Sequence, residues 1–231
     1  MPPEIDYEKE LKKLHLLQEI PEEEQAFPLS KGDLISTLDV QYAGNEAYVA
    51  MDLMKWEEDS SRIYLAKEEV RHEYKPGYFA FREGPVLLAA IQKLQNQISK
   101  EIRLLIIDGH GTAHPHRMGL ASWVGIKVNL PSMGIAKDTL LKLDVSELNE
   151  RENSFLKLVD NGEWIGSVLR SQTAIKPIFP SAGFRINQSS TLSISQAIRG
   201  QYRIPEPVRR ADQAARKFAK GEIEETMIML D

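Results

Sequence analysis

The sequence has no cysteine. Disulfides and thiolate-bound metals are therefore excluded, and any metal must be held by oxygen or imidazole nitrogen. No apolar run approaches the roughly 18 residues that suggest a membrane span. The opening residues, MPPEIDYEKELKK, are too charged for a secretory signal. A chain without membrane contact, cytoplasmic by default, is expected. An excess of positive charge is also missing. The 29 Lys and Arg against 34 Asp and Glu leave a net charge of -5, which argues against a protein that coats nucleic acid through bulk electrostatics. Repeats, low-complexity tracts and long linkers are absent as well. The 231 residues thus read as one domain, 1–231, large enough to bury a sizeable core.

The charge that is present is unevenly placed. Acids crowd residues 4–24, whereas Arg199, Arg203, Arg209, Arg210, Arg216, Lys217 and Lys220 make the last part basic. A solvated helical face explains that cluster, and a local phosphate-binding surface is the alternative. Apolar spacing predicts a helix over 5–19, with Leu11, Leu14 and Leu17 or Gln18 on its stripe and Pro21 ending it. Strands are expected over 34–42, 46–56 and 62–72, separated by turn-like stretches, as an antiparallel meander. A helix over 81–95 leads to a strand at Leu104–Ile107 whose unbroken apolar run suits burial on both faces. Then come a helix over 117–127, a strand over 132–137, a hairpin around Asn161-Gly162, a strand over 176–186 and helices over 191–200 and 208–221. The order defines an α/β fold: a mixed sheet covered by helices on both faces.

Two acids occupy telling places. Asp108 follows Leu104–Ile107 at the carboxyl end of the strand, the edge where open α/β sheets bind ligands; a turn or helix-capping Asp is the alternative. Asp39 falls inside the first strand, between Leu38 and Val40, where a carboxylate is costly to bury unless paired or bound to a cation. A strand that follows a meander and a crossover often lies beside the first one, so the two acids can share a divalent ion. Hard oxygen ligands suit Mg²⁺, which keeps several waters and accepts substrate phosphate. Glu83 and Asp212, on helices, are candidates to complete the group; each also reads as a helix-surface acid. Such a centre polarises a phosphoryl group for hydrolysis. His110, His114 and His116 offer a zinc reading, although Gly111 and Pro115 break any regular spacing between them. Otherwise they are loop histidines bonded to backbone or to substrate phosphate.

Four segments in order, YKPGYFAFREGP, LLIIDGHGTAHPHRMGLAS, PSMGIAK and YRIPEPVRRAD, resemble the motifs of the endonuclease V family, inosine-directed nucleases with an RNase H-like fold. The resemblance runs from about Asp39 to Asp212, most of the chain. It implies that Asp39, Glu83, Asp108 and Asp212 surround Mg²⁺ or Mn²⁺, and that Lys137 in GIAK neutralises the phosphate or leaving oxygen. The implied reaction hydrolyses the second phosphodiester on the 3′ side of a hypoxanthine in DNA or RNA. The implied partner is nucleic acid containing inosine, met by a monomer. Reading a modified base requires taking it out of the stack. Tyr74 and Pro76 resemble the family's wedge, able to stack on exposed bases, while Gly77, Phe79, Gly109 and Leu120 match its base pocket. Gly111 and His114, in the loop after Asp108, are taken with them as substrate-binding positions. Four positions depart from the family pattern: Trp123 for a His, Phe184 for a His, His116 for an Arg, and Thr37-Leu38 for Gly-Val. Two other functions remain open: a homologue that binds without turnover, and a phosphoesterase for small nucleotides.

Overall fold

A computed structural model describes residues 6–70, 77–224 and 227–230. Its main sheet has seven strands in the order β8-β5-β4-β1-β2-β3-β9. The first three, β1 (Leu34–Ala43), β2 (Glu46–Lys55) and β3 (Ser61–Glu69), form the expected meander. α2 (Phe79–Gln95) then crosses over to β4 (Ile102–Ile107), which pairs parallel to β1. β5 (Ser132–Ala136) adds parallel to β4, after α3 (Leu120–Val128). β6 (Phe155–Asp160) and β7 (Glu163–Leu169) make a separate hairpin sheet, followed by β8 (Phe179–Phe184), antiparallel to β5. α4 (Gln188–Ala197), α5 (Glu206–Ala219) and β9 (Met227–Leu230), antiparallel to β3, end the order. Among the described residues no helix is long and apolar enough to cross a membrane.

The first seven residues of β1 are all buried, polar Ser36, Thr37 and Asp39 included, because helices cover both faces. Side chains alternate across a strand. Leu38 and Val40 therefore join Leu87, Ile91 and Leu94 of α2 and Val124 of α3 in one core layer. Ile35, Leu104 and Ile106 face the other way, toward Leu192, Ile194 and Ile198 near α4 and Val208 of α5. Each fully buried Leu or Ile contributes about 1.5–3 kcal/mol. Over β2 and β3, Ala214, Ala215 and Phe218 of α5 cover Ala50, Ile63 and Leu65.

Several boundaries differ from expectation for local reasons. α1 spans Tyr7–Leu17, but only Leu11 and Leu14 of its stripe are buried; Leu17 is exposed. α3 begins at Leu120 rather than 117, because Arg117 adopts a left-handed φ of 53° and Gly119 is an extended N-cap. Gly119 and Ala121 instead donate backbone N–H groups to Gly111 and His110 carbonyls, at 2.9 and 3.0 Å, folding the histidine loop onto the helix start. β9 is an addition, too short to stand out in the sequence. Trp123 fits beneath α2 only because Gly84 has no side chain: a Cβ there would lie 2.3 Å from the indole.

Candidate active site

The parallel pairing of β1 and β4 puts the two strand acids side by side. Asp108, one residue past β4, donates its N–H to the Leu38 carbonyl at 3.1 Å. Asp39 follows Leu38 and points away from the α2 layer. On that face α5 supplies Asp212, and oxygens of Asp39, Asp108 and Asp212 all lie within 4.8 Å of one another. Lys137, one residue beyond β5, donates to Asp108 Oδ2 at 2.5 Å and to Asp212 Oδ1 at 3.1 Å. Arg216, one helical turn along, holds Asp212 with two hydrogen bonds of 2.9 and 3.1 Å. Glu83 enters from α2. It is buried, its Oε2 has no hydrogen-bond partner, and with Asp39, Asp108, Phe79 and Arg82 it lines a 320 Å³ cavity.

The electrostatics are those of a site short of positive charge. Burial, then the neighbouring Asp108, pushes the Asp39 carboxyl up to about 7. Burial also raises Asp108, although the Lys137 ammonium opposes it, and lifts Glu83 well above the usual carboxylate range with help from Asp39. Asp212 goes the other way: burial would raise it, but Arg216 and Lys137 outweigh that and hold it low. Against the loss of solvation, the surrounding carboxylates raise Lys137, which stays protonated. An all-oxygen donor set with one orphaned buried carboxylate oxygen fits a hard divalent cation.

Among the described residues these three aspartates are the group of His, Asp and Glu side chains whose ligand atoms converge. The histidines of the loop are engaged separately. His110 Nε2 pairs with the Asp138 carbonyl at 3.0 Å. His114 Nδ1 accepts the His116 backbone N–H at 3.2 Å, and burial pushes its imidazole down to about 4, leaving it neutral. The zinc reading therefore loses its ligand set.

Beside the carboxylates lies a 390 Å³ cavity lined by Gly77, Phe79, Gly109, His114 and Leu120, five of the substrate-binding positions read from the sequence. Tyr74 and Pro76 fall outside the described residues. Gly111 is not on the lining: its N–H donates to Ser181 Oγ at 2.9 Å, and a Cβ would sit 2.0 Å from the Ala182 carbonyl oxygen. Leu11, Tyr78 and His116 also line the cavity, and the Tyr78 and His116 rings stack with centroids 5.4 Å apart. Leu11 and Tyr78 are not among the substrate-binding positions read from the sequence, although Tyr78 sits between two of them and Leu11 is on the predicted stripe. Arg216 was legible too, as a cation four residues after Asp212 on a helix. Of the departures from the family pattern, Thr37 and Phe184 are buried and Trp123 packs under α2. Only His116 reaches the cavity.

Carboxylates gathered from inside β1, from just past the parallel β4 and from α5, on a mixed sheet with helices on both faces, define a nuclease of the RNase H-like class. The sequence model of the Endonuclease V family matches residues 15–213, and the chain belongs to that family. It is 40% identical over 162 residues to Endonuclease V of Dictyoglomus turgidum, covering 70% of this chain and 69% of that one. The crystal structure of Endonuclease V from Streptomyces avermitilis superposes with a TM-score of 0.81 at 29% identity, covering 95% of each chain. Endonuclease V of Ciona intestinalis, solved in complex with a 23mer DNA containing an inosine followed by a ribo-adenosine, shares the fold with a TM-score of 0.80 at 23% identity, covering 94% of this chain and 97% of that one.

Proposed function

We propose that this chain is a Mg²⁺-dependent endonuclease that binds DNA or RNA containing inosine and hydrolyses the second phosphodiester 3′ to it, with Mn²⁺ able to substitute. The observation that carries the reading is the convergence of Asp39, Asp108 and Asp212 within 4.8 Å beside the cavity lined by Gly77, Phe79, Gly109, His114 and Leu120. Family membership and the inosine-containing DNA bound by the Ciona intestinalis relative support the choice of substrate.

Asp39, Asp108 and Asp212 would hold the ion, with Glu83, whose Oε2 has no hydrogen-bond partner, lining the same cavity as Asp39 and Asp108. When bound, it supplies Lewis-acid polarisation of the scissile phosphoryl group. With its carboxyl raised to about 7, Asp39 is partly protonated near neutral pH in the ion-free site, so loading an ion would release protons. The Lys137 ammonium, already between Asp108 and Asp212, places positive charge where the leaving oxygen develops negative charge. In the cavity, Phe79 and the Tyr78–His116 stack offer flat faces to an extruded base. Hypoxanthine carries a keto oxygen where adenine carries an amine. With Nδ1 engaged as an acceptor, neutral His114 bears its proton on Nε2 and can donate to that oxygen. Tyr74 and Pro76 would serve as the wedge. The protein would work as a cytoplasmic monomer of one domain.

The test incubates the full chain with labelled strands, DNA and RNA, carrying inosine or adenine at one position, in Mg²⁺ and in Mn²⁺. A nick one nucleotide beyond the inosine's own 3′ phosphodiester, and none in the adenine controls, supports the reading. Binding without cleavage points to the homologue without turnover. Hydrolysis of free nucleotides but not strands points to the phosphoesterase.

A further inference from the structure

α5 delivers Asp212 to the carboxylate group, and the face it lays on the sheet is built from Val208, Ala211, Ala214, Ala215 and Phe218. Three of these are alanines, which permit close approach but interlock weakly, so a polar tie adds to what Val208 and Phe218 do to fix rotation of the helix about its axis. Asp52 on β2 is fully buried and faces α5, since it lies opposite Thr37 and two residues from Ala50 on the same side of the sheet. It accepts from Arg210 Nε at 2.5 Å and from the Ser61 hydroxyl. Arg210 and Asp212, two residues apart, leave the helix about 200° apart. They therefore emerge on opposite flanks of the alanine stripe, Arg210 bound to Asp52 and Asp212 bound to Lys137.

We infer that the Asp52–Arg210 pair is a positioning device for the cleavage reaction: it sets the rotation of α5 and thereby the aim of the Asp212 carboxylate at Asp39 and Asp108. The inference rests on the proposed function, in which Asp212 is a site carboxylate. Neither residue belongs to the group of converging carboxylates or lines the cavity beside it. Asp52 is buried at a cost, its carboxyl raised by burial against the pull of Arg210, at a place opposite Thr37, one same-face step along the sheet from Asp39.

The test compares the full chain with Asp52→Asn/Arg210→Met, which removes both charges together and leaves no buried ion unpaired. Arg210→Met alone is made in parallel, and Lys220→Met serves as a control that removes one cation from the end of the same helix. Three quantities are measured: Tm without metal, the Mn²⁺ concentration giving half of the metal-induced rise in Tm, and kcat and KM on the inosine strand. The double variant is expected to fold, to need roughly tenfold more Mn²⁺, and to lose roughly tenfold in kcat with little change in KM, as for other outer supports of metal ligands. The control should match the parent. A double variant that loses Tm but keeps the parent's Mn²⁺ midpoint and kcat overturns the inference and leaves the pair merely structural. A parent chain that neither responds to Mn²⁺ nor nicks defeats the proposed function itself, and the positioning role with it.

Discussion

The carboxylate group and the cavity beside it are neighbours with opposite construction. Asp39 and Asp108 stand on or next to paired central strands, and Asp212 on a helix pinned to the sheet. Burial and mutual repulsion raise Asp39, Asp108 and Glu83 above their ordinary values. The cavity is lined instead by part of the loop between β4 and α3, by the starts of α2 and α3 and by Leu11 of α1, and it is mostly apolar. Rigid elements hold groups that would separate if free to move, and loops hold the surface that must accept a foreign shape. Chemistry and discrimination should accordingly fail separately.

The largest effect is expected at the rigid end. Asp108→Asn should lower cleavage at least roughly 10³-fold while leaving strand binding measurable by gel shift; retained cleavage would remove Asp108 from the chemistry. Lys137→Ala should cost about 10²-fold in kcat. Because the lost ammonium opposes the rise of Asp39, the acid limb of the pH–rate profile should also move to higher pH.

Without metal, the raised Asp39 makes stability depend on pH in the sense opposite to an ion-paired carboxylate. Its proton is held more tightly folded than unfolded, so the stabilisation is complete below its ordinary value of 3.8 and is lost as pH rises through about 7. In EDTA, denaturant melts from pH 5 to pH 8 should therefore show a loss of about 1–4 kcal/mol. Mn²⁺ should restore more stability at pH 8 than at pH 5, and Asp39→Asn should flatten the dependence. The smallest effect belongs to the cavity. Phe79→Ala, at a partly exposed side chain, should raise KM for inosine strands about tenfold with Tm and kcat little changed. A fall in kcat with KM unchanged would break the division between the two regions.

Much of this was legible in the sequence, for identifiable reasons. A buried strand interrupted by one acid marks that acid, and a crossover after a meander predicts which strand lies beside β1, so the sequence order alone pairs Asp39 with Asp108. Asn161-Gly162 fixed the hairpin through turn chemistry. Contacts that depend on helix rotation left no such trace. Asp52 and Arg210 are 158 residues apart, and neither stands out from ordinary charged neighbours. Gly84 carries no local mark either, since the need for it comes from Trp123 on another helix. Gly111 was read toward substrate because it lies in a motif with Gly109, whereas a carbonyl of β8 already fills the space a side chain would take.

The pairing of β1 with both β2 and β4 also limits how this chain can change length. Inserting one residue before Asp39 within β1 would turn its carboxylate into the layer of Leu87 and Ile91 and present an apolar side chain to Asp212. A two-residue insertion would restore the facing but carry the group about 7 Å along the strand, beyond reach of Asp108. Changes in length are therefore tolerated best in the turns and hairpin, and between Ile35 and Asp39, past the register shift at Leu34/Ile35, the paired spacing holds the carboxylate in place.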